Sequence, residues 1–347
     1  MDTTRRKVVK GISATAALAP FSVGRLSAQT KTNMAVAYTG PDLQYLTMQV
    51  AQQNKFFDEV GLDVEVINLG SGPRVRQAVA AGQAAVGFTS AIDCLMLTLA
   101  GRPSKLILGV DRRMAWANVV VRKEDMDSGK LKSVKDMTGG VFAVTQPKSA
   151  SWGTAAYLMD RAGAKNFQIQ GLGDNANCIA ALKSKRADAV LLSVLLMGPL
   201  IKEGWSGMLF SSSNEAAWNE IIGGDAPGVA CFALQKLIDE NPDLVQRFVN
   251  AMTKAKDFIM KSDNAALANL VFAEFYQNYD RQVFDPALAH FKSYIYSADN
   301  LVTEQAYERM KKLMVLGDLE KEETLAKPEA SYANFADFTF VRKARGG

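Results

Sequence analysis

Four short segments place hydroxyls and small residues between an apolar, strand-like run and a helix-like run: Tyr38-Thr39-Gly40, Ser71-Gly72-Pro73, Thr89-Ser90 and Ser149-Ala150-Ser151. At such a junction the first N–H groups of the helix lack intrahelical partners and carry a partial positive charge. Small residues let a solute approach that backbone, and hydroxyls add hydrogen bonds. The chemistry on offer is therefore reversible capture of an anionic head group. Plain helix capping uses the same residue types and is the competing reading at each position. Ser193 stands at a similar junction. Arg112, with Trp116 close behind it, could grip a carboxylate or sulfonate with two prongs, or sit solvated at a turn. Trp152 could stack on a flat solute or pack in the core. Asp174 could meet a ligand amine or cap the next helix.

Catalytic groups are sparse by contrast. The chain has one histidine, His290, and three scattered cysteines, Cys94, Cys178 and Cys231. No Ser-His-Asp constellation, metal-ligand cluster or glycine-rich phosphate loop stands out, so neither enzyme activity nor a metal or cofactor is expected. Glu124, Asp125 and Asp127 read as a solvated turn. Cys94 and Cys231 sit in apolar stretches and read as small buried hydrophobes in place of disulfide partners.

The positioning elements alternate. Strands are expected at 34–38, 63–67, 85–88 and 105–110, with helices at 42–54, 74–81 and 91–100 between or after them. The rhythm restarts after 119–121, with strands at 141–144, 167–170 and 189–192 and helices at 152–162 and 176–184. From Pro242 on, nearly everything reads as helix. This is an α/β chain with mostly parallel sheets and helices on both faces. The stretch 79–90 is echoed by 182–193, each running from a helix end through a turn and a short buried strand to a hydroxyl at its C-terminal edge. Ligands of open parallel sheets sit just beyond those edges, so two such halves would present their rims to one another across a cleft.

With 347 residues there is room for two lobes. Residues 1–28 carry five basic side chains against Asp2, which accounts for the whole net charge of +4. The remainder is close to neutral, and nucleic-acid binding is not expected. Arg5 and Arg6, followed by the uncharged run from Gly11 to Gly24, resemble a twin-arginine signal peptide, which implies export to the periplasm. Cleavage after Gly24 or after Ala28 would both use small residues, the latter with Leu26 as a poor fit three residues before the cut, and the site stays open. No later stretch is apolar enough to span a membrane; Ala187 to Ile201 is interrupted by Asp188, Gly198 and Pro199.

The run from Asn54 to Val66 (NKFFDEVGLDVEV) resembles the opening of the nitrate/sulfonate/taurine group of periplasmic substrate-binding proteins. In order, Ala81 to Gly87, Leu131 to Gly140, Ala180 to Ala189 and Asn241 to Phe248 resemble later segments of that group. The resemblance covers residues 33 to about 260 and is specific for the family more than for a ligand. It implies a two-lobed periplasmic-binding-protein fold of type II, with lobe one at 30–118 plus 229–300, lobe two at 119–228, and C-terminal helices and tail at 301–347. Two crossings, near 117–121 and 227–232, would act as a hinge. It also implies a monomer that binds a small solute and presents it to the membrane permease of an ABC importer. Expected ligand contacts are Tyr38, Thr39, Ser71, Gly72, Thr89, Ser90, Arg112, Trp116, Ser149, Ser151, Trp152, Asp174 and Ser193. Sulfonates, carboxylates, nitrate and a thiamine-pyrimidine precursor remain open as ligands, as does, more remotely, a pyrimidine-precursor synthase of the same fold.

Overall fold

A computed structural model describes residues 31–297 and 299–347. The export signal expected at 1–28 lies outside them. The chain runs through β1 (Thr32–Tyr38), α1 (Leu46–Gln53), β2 (Leu62–Asn68), α2 (Gly72–Ala80), β3 (Val86–Ser90), α3 (Ala91–Leu99) and β4 (Ser104–Gly109). It continues through β5 (Asn118–Arg122), β6 (Val141–Val144), α4 (Ala150–Arg161), β7 (Gln168–Gly171), α5 (Asn175–Lys183), β8 (Ala189–Leu192), α6 (Val194–Lys202) and β9 (Ser206–Phe210). It returns through β10 (Val229–Leu234) and ends in helices that include α7 (Pro242–Lys261), α8 (Arg281–Tyr294) and α9 (Glu304–Leu316).

Two five-stranded sheets result, ordered β2-β1-β3-β10-β4 and β7-β6-β8-β5-β9. Each sheet with its helices makes one lobe, and each lobe repeats the same plan. Three parallel strands pair first, and the strand that has just crossed from the other lobe then inserts antiparallel beside the third. The sheets are thus mixed. β3 and β5 are buried along their whole length, as strands covered on both faces must be, and so read as unbroken apolar runs. In α7, Val245, Phe248, Val249, Met252 and Ile259 recur at helical spacing and turn one face into the core.

β9 and α6 were not legible as elements. β9 is short and carries Gly207, a residue that weakens any strand pattern. α6 continues through Gly198 and Pro199, which read as breaks. Its start is fixed by Ser193, whose hydroxyl accepts from the Leu196 N–H at 3.3 Å. The first turn of the helix expected over 42–54 is a 3₁₀ turn, Leu43–Tyr45, and the α-helix begins at Leu46.

The two connections between the sheets lie side by side. Val110 N–H donates to the Val229 carbonyl at 3.1 Å, and Ala226 N–H to the Arg112 carbonyl at 3.0 Å. A Cβ on Gly228 would stand 2.7 Å from the Arg113 carbonyl oxygen, so the close approach requires glycine there. The C-terminal segment touches both sheets' halves: Leu319 packs on Gly153 of α4, and the Asp337 N–H donates to the Leu106 carbonyl of β4.

Candidate functional site

Where the C-terminal edges of the parallel strands face one another, a cavity of about 100 Å³ opens between the lobes. Lobe one contributes Thr39 beyond β1, Ser71 and Gly72 at the start of α2, and Thr89 and Ser90 at the end of β3. Lobe two contributes Thr145 beyond β6, Ser149 and Ser151 at the start of α4, and Asn175 at the start of α5. Trp116, on the first connection, completes the wall and donates from Nε1 to Thr154 Oγ1 of α4 at 3.4 Å.

Four helix starts, those of α2, α3, α4 and α5, therefore place residues on one small space. Ser90 caps α3, accepting from the Ile92 N–H at 3.3 Å, and Ser149 caps α4, accepting from the Trp152 N–H at 3.2 Å. Capping and lining are not alternatives here, since the same residues do both. Each terminus carries a partial positive charge of about half a unit, and convergence concentrates it.

The lobe-one wall also holds a buried ion pair. Asp93, 1% exposed, accepts from Arg76 Nη1 at 2.5 Å and from Thr89 Oγ1 at 3.2 Å. Burial pushes its carboxyl above the usual range, against the opposing pull of Arg76 and Thr89. The pair cancels in charge, so the lining presents little net field beyond that of the helix termini. A Cβ on Gly72 would fall 2.3 Å from the Asp93 carboxylate, so any side chain there must displace Asp93 from that wall. Two buried polar atoms of cavity-lining residues, Ser71 Oγ and Gln44 Oε1, find no partner among the described residues. A buried polar group without a partner costs about 1–3 kcal/mol, and a solute that bonds it would recover that cost.

Eight of the thirteen residues expected from the sequence thus line the cavity: Thr39, Ser71, Gly72, Thr89, Ser90, Trp116, Ser149 and Ser151. Five do not. Tyr38 packs edge-on against Tyr45, with ring centroids 5.1 Å apart. Trp152 turns into the surrounding core, and Asp174 caps α5 through the Asn177 N–H at 2.8 Å. Arg112 is drawn to the far side of the connections, where its Nε donates to the Tyr294 carbonyl at 3.3 Å, beside a separate cavity of about 200 Å³. Ser193 bonds Asp42 of the opposite lobe. Sequence reasoning missed Gln44, Tyr45, Asp93, Thr145, Asn175 and Leu191. Thr145 and Asn175 carried a signal, as the first residues past a parallel strand and past a helix cap. Asp93 carried none, because its role depends on Arg76 from another helix.

Two five-stranded mixed sheets joined by paired connections, with a polar cavity between their strand ends, define a two-lobed periplasmic-binding-protein fold. The chain belongs to the NMT1/THI5 like family, whose pattern matches residues 43–266. A protein of Bordetella bronchiseptica RB50 superposes with a TM-score of 0.79 at 24% identity, over 91% of this chain and 98% of that one. The periplasmic aliphatic sulphonate binding protein SsuA of Escherichia coli gives 0.66 at 17% identity, over 88% and 92%. The periplasmic nitrate-binding protein NrtA of Synechocystis PCC 6803 gives 0.68 at 12% identity, over 92% and 90%. The desulfurization enzyme DSZB shares the fold more distantly, at 0.59 and 14% identity over 91% and 99%. At these identities the likeness is one of fold.

Proposed function

We propose that the chain is the solute-binding component of an ABC importer: it captures a small anionic organic solute between its lobes by hinge closure and presents the closed form to a membrane permease. The observation that carries this is the convergence of four helix starts from both lobes on one small cavity, with Ser71 Oγ and Gln44 Oε1 left without partners among the described residues. Oriented N–H groups and hydroxyls stabilise an anionic head without a fixed cation. The family and the fold shared with sulphonate- and nitrate-binding proteins agree with such a solute. Export to the periplasm rests on the twin-arginine resemblance at residues 1–28 and on the same fold likeness. No helix among the described residues is long and apolar enough to cross a membrane.

Catalysis is disfavoured by the lining itself, which includes neither histidine nor cysteine. His290 lies in a separate groove of about 600 Å³ between α6 and α8. A second ligand class has one observation in its favour. Trp116 offers an aromatic face and Asp93 a carboxylate, which together would suit a flat, amine-bearing pyrimidine.

A thermal-shift screen of residues 29–347 against small sulfonates, carboxylates, nitrate and aminopyrimidines tests the reading. A ligand that binds the folded state raises the melting temperature with concentration. A sulfonate or carboxylate hit is expected. A pyrimidine hit would replace the anion reading, and a folded protein that no member shifts would sink both.

A further inference from the structure

Beside the cavity, but outside its lining, the lobes touch through a carboxylate. Asp42, just past β1 in lobe one, accepts from Ser193 Oγ at 2.5 Å, and Ser193 stands just past β8 in lobe two. These positions are the C-terminal rims of the two sheets, so the contact exists only while the rims are together. Asp42 is 5% exposed, and its second oxygen, Oδ1, finds no partner among the described residues. An ionised carboxylate sealed from water, with no cation beside it among the described residues, is costly, whereas the neutral acid is not.

We propose that this contact is a proton-sensitive latch: closing the lobes seals Asp42 from water and takes up a proton there, so that acid favours the closed arrangement. The inference rests on the hinge-closure reading above, but not on any choice of solute.

The titratable groups facing Asp42 are all acids. Tyr45 comes from its own 3₁₀ turn, Asp111 from the first connection, and Tyr276 and Tyr279 from the segment before α8. Lobe two supplies the Ser193 hydroxyl. Burial pushes the Asp42 carboxyl from its ordinary 3.8 up to about 6, against smaller opposing pulls from Ser193 and the Gln44 and Leu43 N–H groups. A group that binds its proton more tightly in the closed arrangement favours closure at low pH. That advantage is lost as pH rises through its closed-state value. Between about pH 8 and pH 4.5 the closed-to-open ratio should rise roughly 10- to 30-fold. Lys256 is also brought down by burial to about 6, with Asp111 opposing. It lies inside lobe one with its Nζ 3.3 Å from the Tyr296 ring centroid, and a lysine brought down by burial disfavours a buried arrangement in acid, the opposite sign to Asp42.

Spin labels at Lys165→Cys in lobe two and Lys236→Cys in lobe one would read the lobe separation without any ligand. Both sites are exposed, and the three native cysteines are buried and will not label. The distance distribution should hold two populations, with the shorter one growing as pH falls through about 6. Asp42→Asn should keep the short population high and flat with pH. Ser193→Ala keeps the carboxyl but removes a donor that favours its charged form, so the midpoint should move to higher pH; this variant also serves if Asp42→Asn fails to fold. A distribution indifferent to pH overturns the latch, as does an Asp42→Asn protein that titrates like the parent, which would place the proton on another group. Two pH-insensitive populations would leave the receptor reading standing. A pH-dependent distribution with no hit in the solute screen would do the reverse.

Discussion

Ser90 and Ser193 occupy the same place in their respective lobes. Each stands at the C-terminal end of the third strand of its sheet, and each caps the helix that comes next. Ser90 lines the cavity, while Ser193 is spent on Asp42 across the cleft. The walls around them differ in a similar way. Lobe one faces the cavity with Ser71 Oγ and Gln44 Oε1, unpartnered among the described residues, and a locked Asp93–Arg76 pair. Lobe two faces it with hydroxyls already bonded to one another, Thr145 Oγ1 to Ser151 Oγ at 3.2 Å and Ser151 Oγ to Ser149 Oγ at 2.9 Å. Equivalent topology therefore does not confer equivalent chemistry. Lobe one holds groups that still need a partner, whereas lobe two is largely satisfied and supplies shape, helix termini and the latch hydroxyl.

The asymmetry can be broken most sharply at Gly72. A side chain there must displace Asp93, so Gly72→Val should lower solute affinity by on the order of 100-fold in calorimetric titration, at a stability cost of about 1–3 kcal/mol. A cooperative melt with unchanged affinity would remove the lobe-one wall from the site. The contrast between the walls is sharpened by pairing Ser71→Ala with Ser149→Ala. Loss of the free Ser71 hydroxyl should weaken binding about 3- to 10-fold, the range expected of one hydrogen bond. Ser149→Ala should weaken it about twofold at most, yet lower stability by about 1 kcal/mol because a helix cap is lost. Equal effects on affinity would contradict the difference between lobes. The smallest effect is expected at Arg112, outside the cavity. Arg112→Ala should change affinity less than about twofold, because its guanidinium is held on the far side of the connections by the Tyr294 carbonyl. A tenfold loss in the same titration would show that Arg112 reaches the solute after all.

Much of this was legible in the sequence because the relevant signals are local. β3 and β8 were readable as short apolar runs, and their flanking hydroxyls as rim residues, because strand ends and helix starts constrain residue type within a few positions. Trp116 was placed by its nearness to a crossing. Arg112 was misplaced for the same reason: proximity along the chain cannot say on which side of a connection a side chain emerges. Asp93 was invisible because its neutralising partner, Arg76, comes from α2, and the collision that forbids a side chain at Gly72 exists only once α2 and α3 pack.

By itself, the sequence determined the alternation of strands and helices, its restart after residue 121 and the chemical types at the strand rims. Periodicity, caps and turn residues act over a handful of bonds, and they leave a trace in residue order. Only the tertiary structure decided which hydroxyls face the cavity, which are consumed within a wall, and which bridge the lobes. Those outcomes depend on groups far apart in the chain, such as Asp42 and Ser193, whose encounter is set by how two sheets meet and by which buried polar atoms find a partner.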